Sequence, residues 1–266
     1  MVAPTLNDYE YQFKDTGVLL NGTSALPFWD VEKITGLMDF PELSAKIQDY
    51  DGRHGSVTYA KYFQHRTVVV DGTLYASPTD FDTPLETMRS SLLPNGADYP
   101  FYFKHPNKAQ RYMMVKPIAL NCDVDTGRRY GAGKFQIQLV AGDPKQYIDG
   151  TVANWTNNVN FNLNNTGNVV TAPVISITST STTTANITVQ NVTTSRSIAF
   201  SKAVSTGNVI TIDLEYMAIK INGSYTPVAI TLTGADWPES NPGVTEAWKV
   251  VSNVGNGTAT NRSAWL

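Results

Sequence analysis

At 266 residues, 41% of them hydrophobic and 16% charged, the chain holds enough apolar material for two packed domains, which argues against global disorder. A net charge of −3 and a pI of about 5.6 supply no cationic surplus for phosphate backbones and argue against nucleic-acid binding. Fifteen of the 20 Lys and Arg, 18 of the 23 Asp and Glu, all three His and the single Cys fall in residues 1–150. The Asn-, Thr- and Ser-rich remainder is therefore nearly empty of the side chains that perform acid–base, nucleophilic or metal chemistry.

Tyr9, Tyr11 and Phe13 alternate with Glu10, Gln12 and Lys14, the period of a strand. Asn21-Gly22 marks a tight turn. Residues 28–37, with Phe28, Trp29, Val31, Ile34 and Leu37, read as a strand closed by Gly36. Residues 38–56 break the pattern; Pro41, Asp51-Gly52 and Gly55 make them a long excursion, with a helical turn as an option at 41–47. Residues 57–75 read as a hairpin whose tight turn is Asp71-Gly72, between Thr67-Val68-Val69-Val70 and Thr73-Leu74-Tyr75-Ala76. The one helix follows. Thr83 is placed to cap it, Pro84 to take the first helical position and Glu86 to complete a capping box. Leu85, Met88 and Leu92 form its apolar stripe, and Pro94-Asn95-Gly96 stops it.

Strands are expected next at 99–104 and 111–116, around a polar turn. Another is expected at 134–140, where Phe135, Ile137 and Leu139 face away from Gln136 and Gln138; Asp143-Pro144 ends it. From Val169 onward short β runs recur at 174–177, 186–189, 208–214, 218–221, 228–232 and 247–251. Turn signals such as Thr206-Gly207 and Asn222-Gly223 separate them, with no helical pattern between. That is the signature of an antiparallel sandwich. The predicted fold is mainly β: an N-terminal β-barrel or sandwich with one α-helix over residues 1–148, then a C-terminal antiparallel β-sandwich over residues 149–266.

Candidate chemistry is sparse. Gly127 to Lys134 misses the spacing of a phosphate loop, and Phe135 stands where Ser or Thr should bind magnesium. Asp123-Val124-Asp125-Thr126-Gly127 lacks the further oxygen ligands of a calcium loop. His54, His65 and His105 have no partners at ligand spacing, so no metal, cofactor or catalytic residue is assigned. Asp80 with Asp82, and Asp236 with Glu239, are the nearest carboxylate pairs; each reads better as a helix-start or turn residue. Cys122 reads as a small buried hydrophobe and its solitude excludes an internal disulfide. The Asn-x-Ser/Thr triplets read as by-products of an Asn/Thr-rich β surface. The N-terminus shows no secretory pattern and no apolar run approaches a membrane span, so synthesis in a reducing cytoplasm and no membrane partner are expected. Trp155, Trp237 and Trp248 are candidates for stacking on sugar rings, against the commoner reading of core packing.

The order of these pieces resembles the distal tail protein family of long-tailed, non-contractile bacteriophages. The resemblance runs through Phe28-Trp29-Asp30-Val31, Ile34-Thr35-Gly36-Leu37, Thr67 to Ala76, the helix, Tyr99-Pro100-Phe101-Tyr102-Phe103 and Phe135 to Leu139. It continues through Gly207 to Asp213, Ile219-Lys220-Ile221-Asn222-Gly223 and Trp237-Pro238. The usual Leu-x-Pro-Gly-x-Asn stretch is altered here to Ser240-Asn241-Pro242-Gly243-Val244-Thr245.

The resemblance implies a tail-tube-like N-terminal domain and a galectin-like or carbohydrate-module-like C-terminal sandwich. It implies a structural virion component: a hexameric ring at the distal end of the tail that joins the tube to the tip or baseplate hub. Its partners would be copies of itself, the tail-tube protein, and tip, hub and fibre proteins. Recognition of host cell-wall glycans is the alternative. A ring needs one patch to meet a different patch on the next copy. The 38–56 excursion and its neighbours supply the candidates Phe40, Leu43, Ile47, Tyr50, Arg53, His54, Tyr59 and Tyr62, with Phe63, Tyr102 and Phe103 as further aromatic area.

Overall fold

A computed structural model of the chain describes residues 3–14, 17–22, 26–51, 54–93, 97–123, 126–148, 150, 152–234 and 236–266. The fold is mainly β. It divides into two compact units, Met1–Gln146 with Leu266, and Tyr147–Trp265.

The first unit contains β1 (Tyr11–Phe13), β2 (Leu19–Leu20), β3 (Phe28–Thr35), β4 (Leu43–Asp49), β5 (Ser56–Phe63), β6 (Arg66–Tyr75), α1 (Asp82–Ser91), β7 (Tyr99–Phe103), β8 (Arg111–Cys122) and β9 (Ala132–Ala141). Hydrogen-bonded neighbours run β2-β1-β7-β8-β9-β6-β3, all antiparallel. β8 is long because two neighbours on this path share it: Arg111 to Val115 pair with β7 and Lys116 to Cys122 with β9. The register slips between Pro117 and Ala119, where proline has no N–H for the ladder and a bulge turns the strand. Trp29, Val68, Val70, Leu74, Phe135, Ile137 and Leu139 build the core with Phe101, Phe103, Met113 and Val115, and α1 lays Leu85 and Met88 on it. Each such side chain contributes roughly 1.5–3 kcal/mol by leaving water.

Several local expectations are corrected. Asp71-Gly72 is not a turn but lies inside β6, one continuous ten-residue strand. Gly72 is there for close approach: a Cβ would stand 2.1 Å from the Asp30 carbonyl oxygen and 2.7 Å from the Phe135 ring. The helix starts one residue before Thr83, with Phe81 as a cap that makes no side-chain hydrogen bond. The Thr83 hydroxyl instead donates to Asp80, so the capping box does not form. Pro84 still falls in the first turn, where its missing N–H costs nothing. The expected stop at residues 94–96 lies outside the described residues. Tyr9 leaves the strand alternation in a left-handed turn, φ 66°. The helical option at 41–47 gives way to strand β4, because β5 supplies an antiparallel partner.

The chain passes from one unit to the other within β10 (Gln146–Ile148). The second unit contains β11 (Val152–Trp155), β12 (Asn160–Asn165), β13 (Val174–Thr178), β14 (Thr183–Asn191), β15 (Arg196–Val204), β16 (Val209–Asp213), β17 (Ala218–Ile221), β18 (Ser224–Tyr225), β19 (Ile230–Thr233), β20 (Val244–Ser252), β21 (Gly257–Thr260) and β22 (Ser263–Trp265). One sheet runs β11-β21-β13-β16-β17-β18 and the other β12-β20-β14-β15-β19. Both contribute to one core, with Ile175, Ile177, Ile210 and Ile212 from the first and Ile187, Val189, Ile198, Trp248 and Val250 from the second. Asn222-Gly223 turns β17 into β18 with both residues at positive φ, 51° and 80°, as a two-residue hairpin requires. A buried carboxylate, Glu246, accepts hydrogen bonds from the Asn191 side chain (2.9 Å) and from the Asn241 side chain (2.7 Å) and backbone (3.3 Å). It thereby pins the segment around Ser240-Asn241-Pro242-Gly243. Among the described residues no helix is long and apolar enough to cross a membrane.

Candidate assembly surface

β4 and β5 form a two-stranded sheet of their own, joined to no other strand. An isolated hairpin is at best marginally stable in water. This one is held by its register, Leu43 opposite Phe63 and Ser44 opposite Tyr62, with a slip between Ala45 and Ile47. Its open end is closed by the Gln64 N–H donating to the Glu42 carbonyl at 2.8 Å. Every residue of β4 is exposed. Phe40 is 66% exposed, Ile47 63% and Tyr62 70%; Leu43, Tyr50 and Phe63 are exposed as well. The Phe40 and Phe63 rings meet edge to face at 5.4 Å. His54 is exposed. Arg53 lies outside the described residues, as does the side chain of Tyr59. Six of the eight residues proposed for the ring interface thus belong to one exposed feature. Tyr102 and Phe103 do not: Phe103 is buried in the core of the first unit and Tyr102 is buried beside Tyr112, and they are removed from the interface set.

The hairpin is rooted in a buried polar knot. Arg66, the first residue of β6, donates from Nη1 to the Leu37 carbonyl at 2.6 Å. The Gln146 amide donates to the same carbonyl at 2.7 Å and accepts from Arg111 Nη1 at 3.1 Å. Burial lowers the Arg66 pKa from its usual value, and Asp39 partly offsets this. Two long side chains locked onto one backbone oxygen fix the point from which the hairpin departs.

A second apolar feature lies at the other end of β6. A cleft of about 400 Å³ is lined by Val18, Leu19, Leu26, Pro27, Trp29 and Pro84, with Asp80, Thr83 and Thr87 as polar lining. Leu19 and Leu26 are exposed.

The remaining candidates have structural occupations. Asp82 pairs with Arg128, whose guanidinium lies 5.5 Å from the Phe81 ring, and Glu239 pairs with Arg196 at 3.5 Å. Burial raises the Cys122 thiol pKa, the wrong direction for a nucleophile. His54 and His65 are exposed. His105 packs against Phe103 at 5.8 Å and Tyr11 at 6.4 Å; burial first, and Arg111 second, lower its pKa. Among the described residues no group of His, Cys, Asp and Glu is arranged to hold a metal ion. Trp155 and Trp248 are buried in the sandwich core and Trp237 is half-buried against it. Trp155 and Trp248 therefore have no ring face to offer a sugar, which corrects their candidacy for stacking.

Residues 166–265 match the family model for the siphovirus-type tail component, C-terminal domain. This part of the chain is similar to that domain. The whole fold is similar to the Dit protein of phage SPP1, described as a paradigm of the hub adsorption apparatus in phages that infect Gram-positive hosts. The two are 17% identical, with a TM-score of 0.66, over 98% of this chain and 100% of that one. It is also similar to a chain of the phage P2 baseplate in its activated conformation with Ca, at 8% identity and a TM-score of 0.63, over 96% of this chain and 97% of that one. A chain of the Sr form of that baseplate matches with a TM-score of 0.57 at 8% identity, over 92% and 98%. At these identities the likeness establishes the fold. No curated protein sequence matches the chain. The matched residues include Glu246 and its partners Asn191 and Asn241, so the altered Ser240-to-Thr245 stretch keeps a defined anchor.

Proposed function

We propose that the protein is a non-enzymatic tail-hub component, a ring of six copies at the distal end of a siphovirus-type tail that joins the tube to the tip or baseplate hub. In this reading residues 1–148 form the ring and residues 149–266 are an appended β-sandwich. The observation that carries it is the exposed apolar hairpin β4–β5, which pairs with no other strand among the described residues. Exposed apolar surface of this extent on an isolated strand pair marks an interface and a hazard when left open. A closed ring covers it in every copy by a heterologous contact. The match to the tail-component family and the hub and baseplate folds support the same reading.

The partners are copies of this chain, the tail-tube protein on one side, and tip, hub and fibre proteins on the other, all within the virion after assembly in the host cytoplasm. Multi-angle light scattering and native mass spectrometry of the purified protein test the reading. A mass of six subunits is expected, and a strictly monomeric protein at micromolar concentration that is absent from purified tail tips would refute it.

A further inference from the structure

We propose that the β4–β5 hairpin of one copy docks in the cleft bounded by Leu19, Leu26, Pro27, Trp29 and Pro84 of the next copy, so that the cleft is the acceptor half of the ring contact. The inference rests on the ring reading and deepens it by naming the receiving surface. A ring closes when donor and acceptor are different patches set apart on one subunit. The hairpin leaves at the Arg66 end of β6, while Ala76 and Ser77, just past the Tyr75 end, line the cleft. Ten extended residues separate the two features by about 30 Å.

The chemistry of the two surfaces matches. The cleft offers an apolar floor from the buried Trp29 and an exposed rim from Leu19 and Leu26. Its volume of about 400 Å³ has room for two large side chains, and the hairpin carries Phe40, Leu43, Ile47, Tyr62 and Phe63 uncovered. Two aromatic side chains seated there bury roughly 150–250 Å² each, a central part of the ~800 Å² per partner of a standard interface. Charge agrees as well. Asp80 is the charged residue of the cleft lining. The hairpin brings the exposed Lys46 beside Ile47. A carboxylate at the rim favours that lysine over the acidic ends at Glu42, Asp49 and Asp51.

The test places cysteines across the proposed contact, Ile47→Cys with Thr87→Cys in a Cys122→Ser background, under mild oxidation. A ladder of covalent oligomers on a denaturing gel is expected from the double variant and none from either single one. In parallel, Leu26→Asp, at an exposed position that a folded monomer tolerates, is expected to abolish the ring with unchanged circular dichroism. If the wild type forms rings, the Leu26→Asp protein forms them equally well and no ladder appears, the cleft is not the acceptor although the ring reading stands. If the wild type forms no ring, both fall together.

Discussion

At the scale of single residues, two positions tie the N-terminal fold to measurable energetics. Gly72 sits in β6 where its hydrogen faces the Asp30 carbonyl and the Phe135 ring. Gly72→Ala therefore forces strand β3 or the Phe135 ring to shift. A loss of about 1–3 kcal/mol is expected, as for other overpacking changes, read from the denaturant midpoint of the N-terminal unit. His105 is the second. In the unfolded chain it titrates near 6.5, and in the fold burial and Arg111 hold it lower. As pH falls, the unfolded chain takes up this proton first. The stability linked to His105 is complete above about 6.5 and is lost as pH drops toward the folded value. Denaturation at about pH 7.5 and about pH 5.5 should show a larger acid loss for the wild type than for His105→Asn; equal losses would assign the acid sensitivity elsewhere.

At the scale of elements, β9 and β4 are opposites and their variants should fail differently. Ile137 is buried in β9 between β6 and β8. Ile137→Asp places an unpaired carboxylate in the core, a cost of about 3–5 kcal/mol, and should unfold the N-terminal unit. Ile47→Asp changes a side chain already in water, so the subunit should keep its circular dichroism and thermal transition while losing the ring by light scattering. β9 was the most legible strand in the sequence because its inward and outward residues alternate cleanly. The stripe Leu85, Met88, Leu92 was legible for the same reason at helical period. β4 was not: Leu43-Ser44-Ala45-Lys46-Ile47-Gln48-Asp49 has no buried face, so no alternation was selected into it, and only its pairing with β5 makes it a strand. The misread at Asp71-Gly72 has another cause. A glycine needed for close approach looks, in sequence, like a glycine needed for a turn. β15, with Ile198 and Phe200 among Ser and Ala, is not legible in the sequence because small residues hide its period. The stretch 38–56 was legible as one that obeys no core pattern, whereas the burial of Tyr102 and Phe103 was not, because aromatic residues serve cores and surfaces alike.

At the scale of the molecule, the two units divide chemistry unequally: most of the charged residues and all three histidines lie before residue 150, and the sandwich is held by apolar layers and amide networks such as that around Glu246. The hairpin adds a biological consequence. Because every residue of β4 stands in the open, a solitary copy displays an apolar arm that, on the ring reading, a completed collar would hide.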